Sequence, residues 1–161
     1  MTVSKNHFWF SVPFLLLFFA HAVSAAELGI NIHGVSYHPN HSGNELNDWN
    51  PGIGVHYLFY VHGRNSLAAE GGIFENSSKD PAGYAALTYR FRVWYGLQLG
   101  IGFTFLKSSS VNHGSAVVVP LPVIGYRYHS VSIQMLYAPR VRDKNRNSVY
   151  SVYGTYYFYR W

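Results

Sequence analysis

Aromatic and β-branched residues dominate the carboxyl-terminal stretch, residues 148–161, and they restrict it to an extended conformation. Side chains alternate between the two faces of a strand, so this stretch has two sets of residues. One set is Tyr153, Thr155, Tyr157, Tyr159 and Trp161, and the other is Val152, Gly154, Tyr156, Phe158 and Arg160. The pattern predicts a β-strand. We expect the set that ends on Trp161 to face outward and Tyr156 and Phe158 to face inward.

Seven further segments upstream show the same alternation, with large apolar residues on one face and glycine or polar residues on the other. The predicted strands have about 9–14 residues, which suits the length that a tilted membrane-spanning strand needs. The predicted connections are alternately long and short, as in outer-membrane barrels with long extracellular loops and short periplasmic turns. A soluble eight-stranded ligand-binding barrel is the alternative, but its apolar face would point inward and its charges outward.

Residues 1–25 carry the pattern of a secretory signal peptide. Lys5 provides the positive start, residues 8–20 form an apolar run, and small residues precede the predicted cleavage after Ala25. The run is short for a spanning helix, which needs about 20 apolar residues, and no later segment is apolar enough and long enough. We therefore predict a signal peptide over residues 1–25 and one domain over residues 26–161 that crosses a membrane as strands.

The composition favours the membrane interpretation. Charged residues make up 12% of the chain and aromatic residues 18%, whereas about a quarter of a soluble domain is charged. We predict an all-β protein, an eight-stranded antiparallel transmembrane β-barrel of the outer-membrane type, with no amino-terminal helix in the mature chain. We expect a monomer in the bacterial outer membrane.

The charge and the residue types limit the ligands. The formal charge of +5 favours anionic lipid headgroups or lipopolysaccharide phosphates, although excess surface Lys and Arg would also explain it. The chain has no cysteine, and His33, His38 and His41 have no nearby acidic group beyond Glu45 and Asp48 to complete a metal site. No phosphate-binding glycine loop or nucleic-acid motif is present. We expect no metal, no cofactor and no nucleic-acid partner.

A barrel of eight strands has an interior that side chains fill or that holds one small ligand. Five glycines on the predicted inner faces should leave room in this lumen, or else offset the bulk of inward Tyr60, Phe74, Tyr156 and Phe158. These glycines are Gly52, Gly54, Gly72, Gly100 and Gly102.

Four prolines fall near the predicted outer rim. Proline cannot donate a hydrogen bond to a strand ladder, so these residues predict gaps in strand pairing there. They are Pro51, Pro120, Pro122 and Pro139. Pro51 and Pro139 could instead simply end strands next to loops, whereas Pro120 and Pro122 lie deeper in their strand.

The predicted topology places His33, Asn76 and Ser77 near the outer end of the barrel. A histidine beside a hydroxyl and an amide could act as a base, a nucleophile or hydroxyl-positioning group, and an oxyanion donor. A histidine at a barrel rim is also commonly just a hydrogen-bonded surface residue.

Five stretches of the chain resemble the lipid A palmitoyltransferases of Gram-negative outer membranes. They are Ile30-Asn31-Ile32-His33, Phe74-Glu75-Asn76-Ser77, Leu99-Gly100-Ile101-Gly102-Phe103-Thr104, Pro120-Leu121-Pro122-Val123 and Gln134-Met135-Leu136-Tyr137-Ala138-Pro139. That family consists of eight-stranded barrels that move a palmitoyl chain from a phospholipid to lipid A.

The resemblance implies a catalytic histidine at His33 and a catalytic serine at Ser77. The family's catalytic aspartate falls on Asn76, which cannot accept a proton or carry charge. The resemblance also implies that proline gaps admit lipid sideways. Family members carry an amphipathic helix before the first strand, which we expect to be absent here.

The function predicted from these features is the transfer of a fatty acyl chain from a phospholipid to lipid A at the outer leaflet. One alternative is a non-catalytic barrel that binds lipopolysaccharide or a surface partner, and another is an acyl hydrolase that uses water as the acceptor. Arg140, Arg142, Lys144 and Arg146, in the last outer loop, are candidate ligands for lipid A phosphates.

Overall fold

The computed structural model describes residues 26–39, 46–141 and 147–160. The predicted signal peptide and Trp161 lie outside the described residues. Eight antiparallel strands close into a barrel in which each strand pairs with its neighbours in the sequence and β1 pairs with β8. The strands are β1 (Glu27–Tyr37), β2 (Trp49–His62), β3 (Asn65–Glu75), β4 (Pro81–Trp94), β5 (Leu97–Ser108), β6 (Val117–Tyr128), β7 (Val131–Ala138) and β8 (Val149–Arg160). The predicted fold class is confirmed.

The two ends of the barrel differ in their connections. Tight turns at Gly63-Arg64, Tyr95-Gly96 and His129-Ser130 close one end, and long connections close the other. Gly63 has φ 60°, a conformation that glycine adopts without strain. Glu27 and Arg160 pair at the tight-turn end, so both ends of the described barrel lie there. Barrels of this kind place short turns on the periplasmic side, so the long connections mark the outer side.

The exterior of the barrel is apolar along its whole height. Large apolar side chains that point outward from all parts of the wall include Ile32, Ile53, Val55, Ile73, Leu87, Leu99, Phe103, Val118 and Ile133. Exposed aromatic residues flank this band, with Tyr37 and Trp49 at the outer end and Trp94, Tyr95 and Tyr128 at the inner end. An apolar band between aromatic rows is the surface that a bilayer requires, and the predicted location in the bacterial outer membrane is confirmed.

Across residues 26–39, 46–141 and 147–160, no helix combines the length and the apolar character that a membrane span needs.

A polar network fills the interior of the barrel around Glu70. Arg90 donates to Glu70 Oε1 at 2.5 Å, Asn31 Nδ2 donates to Oε2 at 2.9 Å, and the Tyr153 hydroxyl lies 3.1 Å from Oε2. His56 Nδ1 lies 3.5 Å from Oε1, and His56 has no exposed surface. These contacts join β1, β2, β3, β4 and β8, so one carboxylate connects five strands across the lumen.

The predicted faces of the last strand are wrong. Tyr153, Thr155 and Tyr157 are buried in the lumen, whereas Tyr156 and Phe158 are 52% and 54% exposed on the outside. Both faces of β8 carry aromatic residues, so hydrophobicity alone does not distinguish them. The distinction comes from polar groups: Thr155 Oγ1 donates to Asn31 Oδ1 at 2.7 Å, which a lipid-facing position could not provide.

Most of the predicted lumen glycines lie against neighbouring atoms, so a side chain at these positions would collide with them. A Cβ on Gly52 would lie 2.3 Å from Phe74 Cβ, and one on Gly54 would lie 2.4 Å from the Tyr84 hydroxyl. A Cβ on Gly72 would meet backbone atoms of the facing strand, and one on Gly100 would meet the Tyr89 carbonyl oxygen at 2.2 Å.

Gly102 differs from the other four glycines, because its nearest neighbour, Thr88 Oγ1, would be 3.4 Å away, which is an ordinary contact distance. Gly52 and Gly54 therefore make room for bulky neighbouring side chains and do not leave open space in the lumen. The bulk belongs to Phe74 and Tyr84, not to Tyr156 and Phe158.

We expect Glu70→Ala to destabilise the barrel by about 3–5 kcal/mol, because it leaves the Arg90 charge buried without its partner. The measurement is the free energy of unfolding in urea, with the barrel in phospholipid vesicles. The control is Glu75→Ala, which removes only a hydrogen bond from Asn47 at the rim and should cost about 1 kcal/mol. Equal stabilities of the two variants would contradict this role of Glu70.

Candidate functional site

The outer half of the lumen differs from the polar interior around Glu70. Along β4, β5 and β6, lumen-facing residues in direct register form rows such as Tyr84, Leu106 and Val117. The apolar members of these rows and of facing β7 are Ala82, Ala86, Leu106, Val117, Val119, Leu121, Val123 and Leu136. We call this set the apolar cup.

The apolar cup contains both buried and partly accessible side chains. Ala86, Leu106, Val119 and Leu136 face inward and are nevertheless partly accessible, whereas Asn31, His56 and Gln134 deeper in the lumen are at most 1% exposed. Apolar side chains that stay accessible inside a barrel provide a surface on which hydrocarbon can be buried favourably.

Strand pairing is interrupted beside the apolar cup. β6 and β7 pair only from Val123↔Leu136 to Tyr128↔Val131, so residues 117–122 of β6 pair with β5 alone. Pro120 and Pro122 lie in this unpaired part, opposite Phe103 and Ile101 of β5. Proline has no N–H to donate, which accounts for the end of the β6–β7 ladder.

The other two predicted prolines behave differently. Pro51 lies in β2 at an irregularity of the β1–β2 ladder, which shifts register between His33 and Val35. Pro139 follows the last residue of β7, so it simply ends the strand. A role in lipid access stays a prediction for all four prolines.

A groove of about 300 Å³ lies on the outer wall at the edge of the interrupted region. Its lining residues are Leu99, Gly100, Pro122, Val123, Ile124, Met135 and Tyr137. Gly100 and Val123 face the lumen, and most of the others face the lipid. The groove therefore lies on the lipid-facing wall beside the end of the β6–β7 ladder.

His33 lies in the lumen among aromatic rings. Its Nε2 is 2.9 Å from the Tyr84 hydroxyl, and its ring stacks on Tyr153 with centroids 5.0 Å apart and on Phe74 at 5.6 Å. Asn31 Nδ2 also donates to the Tyr84 hydroxyl, at 3.3 Å. His33 is thus tied to the polar interior, and its hydroxyl neighbour is Tyr84 and not Ser77.

Ser77 belongs to a second cluster at the outer rim, which we call the rim cluster: Ser36, His38, Asn50 and Ser77. Ser77 Oγ lies 2.8 Å from His38 Nε2 and 3.2 Å from Ser36 Oγ. Asn50 Nδ2 approaches Ser77 Oγ at 3.5 Å. His38 is 5% exposed and Ser77 is only half-buried, so the serine is the accessible member of the pair.

Asn76 organises the connection between β3 and β4. Its Nδ2 donates to Ser108 Oγ and Ser110 Oγ, both at 2.6 Å. Its Oδ1 accepts the backbone N–H groups of Ser78 at 2.9 Å and Asp80 at 3.1 Å. Both ends of the amide are occupied, so Asn76 holds the loop that carries Ser77.

The residue that sequence reasoning missed is His38. Strict alternation from His33 would place Ser36 and His38 on the outer face of β1. The register shift between His33 and Val35 reverses the alternation, so Ser36 and His38 turn inward. Gly34 together with Pro51 across the ladder was the only sequence signal of such a bulge.

The predicted phosphate ligands lie largely beyond the described residues. Arg140 is exposed, and its backbone N–H donates to Ser148 Oγ at 3.2 Å. Arg142, Lys144 and Arg146 fall outside the described ranges. Within those ranges, no group of three or more His, Asp or Glu side chains is arranged to hold a metal ion.

No protein-family model matches the sequence, and no curated protein matches it. Membership of the lipid A palmitoyltransferase family therefore stays a hypothesis.

The fold is similar to the Yersinia pestis outer membrane protein Ail in a phospholipid bilayer nanodisc, with 13% identity, a TM-score of 0.47, and coverage of 83% of this chain and 99% of that chain. The crystal structure of Ail, the attachment invasion locus protein, shows 14% identity and a TM-score of 0.37, covering 83% of this chain and 98% of that one. Its complex with the heparin analogue sucrose octasulfate shows 16% identity, a TM-score of 0.37 and the same 83% and 98% coverage. Likenesses this distant support no statement about function.

Proposed function

We propose that this protein binds an acyl chain of an outer-leaflet lipid in the apolar cup, and that the chain enters sideways between β6 and β7. The observation that carries the proposal is the end of the β6–β7 ladder at Val123 beside inward, partly accessible apolar residues. Unpaired backbone groups are costly in hydrocarbon unless they border a cavity or a ligand. The end of strand pairing at residues 117–122 therefore supports a ligand-binding cavity beside them.

The depth of the bound chain is limited by the polar network. Asn31, His56 and Gln134 are almost completely buried below the apolar cup and leave no accessible apolar surface. A hydrocarbon chain would end above them, because displacing paired polar groups costs more than the chain gains by burial. The ligand is therefore an acyl chain of a phospholipid or of lipid A whose polar end stays at the rim.

The polar end of such a lipid would meet cations at the outer end of the barrel. Lys79, Lys107 and Arg140 are exposed there, and Arg142, Lys144 and Arg146 follow in the same sequence region as Arg140. Lysine and arginine bind phosphate groups at membrane surfaces. Lipopolysaccharide is thus a proposed partner, in agreement with the non-catalytic alternative.

We expect Val119→Trp to reduce acyl-chain binding about tenfold or more, because the indole would occupy the apolar cup. The measurement uses the barrel in phosphatidylethanolamine vesicles that contain a phosphatidylethanolamine with a diazirine in its acyl chain. After illumination, crosslinks are mapped by mass spectrometry. The native protein should carry crosslinks on lumen-facing Leu121 and Leu136.

The matched control is Val118→Trp at the neighbouring position, which is 64% exposed to lipid and should leave the lumen crosslinks unchanged. Crosslinks confined to outward residues in the native protein would contradict acyl-chain binding in the lumen. Lumen crosslinks that persist in Val119→Trp would show that the acyl chain binds in a part of the lumen other than the apolar cup.

Acyl transfer is the second candidate function. His33 Nε2 lies 2.9 Å from the Tyr84 hydroxyl near the apolar cup, and Ser77 carries a half-buried hydroxyl at the rim. His33 would act as a general base toward the acceptor hydroxyl, while Ser77 would orient the ester and Asn76 would hold the loop that carries Ser77. With water as the acceptor, the same groups would remove an acyl chain.

For acyl transfer we expect lipid A to gain the mass of one fatty acyl chain when the protein is produced in a Gram-negative host without its own lipid A acyltransferase. His33→Ala should reduce the product about 100-fold or more, because a general base is lost. His113→Ala, at an exposed loop position, is the control. A loss of mass would indicate a hydrolase, and unchanged lipid A with folded barrel would leave lipid binding as the function.

A further inference from the structure

Two side chains of the rim cluster have the geometry of a nucleophile and its base. Ser77 Oγ lies 2.8 Å from His38 Nε2, which is within the range expected for a serine that donates its proton to an imidazole. Ser36 Oγ is also near this nitrogen, at 3.3 Å, but Ser36 is 5% exposed. Ser77 is therefore the hydroxyl of this pair that a substrate can reach.

The hydrogen bonds of the rim cluster are consistent with one assignment of donors and acceptors. With the imidazole proton on Nδ1, the Ser77 hydroxyl donates to His38 Nε2 and Ser36 donates to Ser77 Oγ across 3.2 Å. In this arrangement one lone pair of Ser77 Oγ accepts from Ser36, and the other, which Asn50 Nδ2 approaches only at 3.5 Å, is the one that would attack. An imidazole that accepts the proton raises the nucleophilicity of a serine that is otherwise weak.

The backbone holds Ser77 in place from two sides. Asn47 N donates to the Ser77 carbonyl oxygen at 2.8 Å, and Asn76 ties the loop to Ser108 and Ser110 of β5 and the following loop. Asn50 Nδ2 is 3.5 Å from Ser77 Oγ, and Asn50 Oδ1 is buried with no hydrogen-bond partner among the described residues. The Asn50 amide thus places an N–H donor 3.5 Å from the proposed nucleophile, where it would be available to the oxygen of an attacked carbonyl.

We infer that Ser77 and His38 are a nucleophile and general base that act on lipid acyl esters at the outer leaflet. This inference deepens the proposed function and rests on it for the choice of an acyl ester as substrate. It assigns the base to His38 in place of His33, the base of the second candidate function, because His38 and not His33 contacts Ser77.

The reaction has two balanced steps. Ser77 Oγ forms a bond to the acyl carbon, its proton passes to His38 Nε2, and the bond from the acyl carbon to the lipid's ester oxygen breaks as that oxygen takes the proton. In the second step an acceptor hydroxyl gives its proton to His38 and attacks the acyl carbon, and Ser77 Oγ leaves and recovers a proton. A sugar hydroxyl as acceptor gives transfer, and water gives hydrolysis.

The test is covalent labelling of the folded barrel with two fluorophosphonates, one with a short ethyl chain and one with a dodecyl chain. The serine oxygen displaces fluoride from phosphorus, so the label reports the nucleophile directly. We expect the label on Ser77, mapped by peptide mass spectrometry. His38→Gln and His38→Asn should slow labelling by about 100-fold or more, as expected for loss of a general base.

Two variants serve as matched controls. Ser115→Ala removes an exposed loop hydroxyl and His113→Ala removes an exposed loop histidine, and both should keep Ser77 labelling within a few-fold of the native rate. Reduced gel mobility after heating shows that each variant was folded beforehand. Labelling at another residue, no labelling of the native protein, or native rates in both His38 variants would overturn the inference.

The two probes separate this inference from the proposed function. The ethyl probe needs only Ser77 and His38, whereas the dodecyl probe also uses the apolar cup. If Val119→Trp loses the preference for the dodecyl probe but keeps ethyl labelling, both proposals stand. If both probes label the native protein at the same rate, the Ser77–His38 pair is supported and acyl-chain binding in the lumen is contradicted.

Discussion

The structure depends on one requirement: a barrel of eight strands is so narrow that its interior must be filled, and every polar group in it must be paired. Glu70 meets this requirement at the centre, with Arg90, Asn31 and Tyr153 within hydrogen-bonding distance. An unpaired carboxylate at that depth would be strongly unfavourable. Its partners on β1, β4 and β8 consequently determine which faces of those strands point inward.

The polar network also divides the lumen by function. Where the paired polar groups end, apolar side chains of β4 to β7 continue toward the outer rim, and Pro120 and Pro122 prevent β6 from pairing with β7 beside them. The same barrel therefore has a polar part where the described strands pair continuously and an outer part where the β6–β7 ladder has ended. A lipid ligand fits this division because its chain and its polar end need different surroundings.

The candidate site could be predicted only in part from the sequence. The rim position of Ser77 and the strand gap at Pro120 and Pro122 follow from alternation and from the missing proline N–H. The partner of Ser77 does not, because the bulge after His33 reverses which residues of β1 face inward. Alternation has a period of two residues, so a single irregular residue exchanges the faces of everything beyond it. His38 enters the site for that reason.

By itself the sequence determined the all-β class, the eight strands, the alternation of long and short connections and the apolar exterior. These properties follow from local pattern, since side chains alternate along any strand and lipid accepts only apolar residues. The tertiary structure decided the inner face of β8, the packing around Gly52 and Gly54, and the pairing of Ser77 with His38. Those features depend on contacts between strands far apart in the chain, which local pattern does not contain.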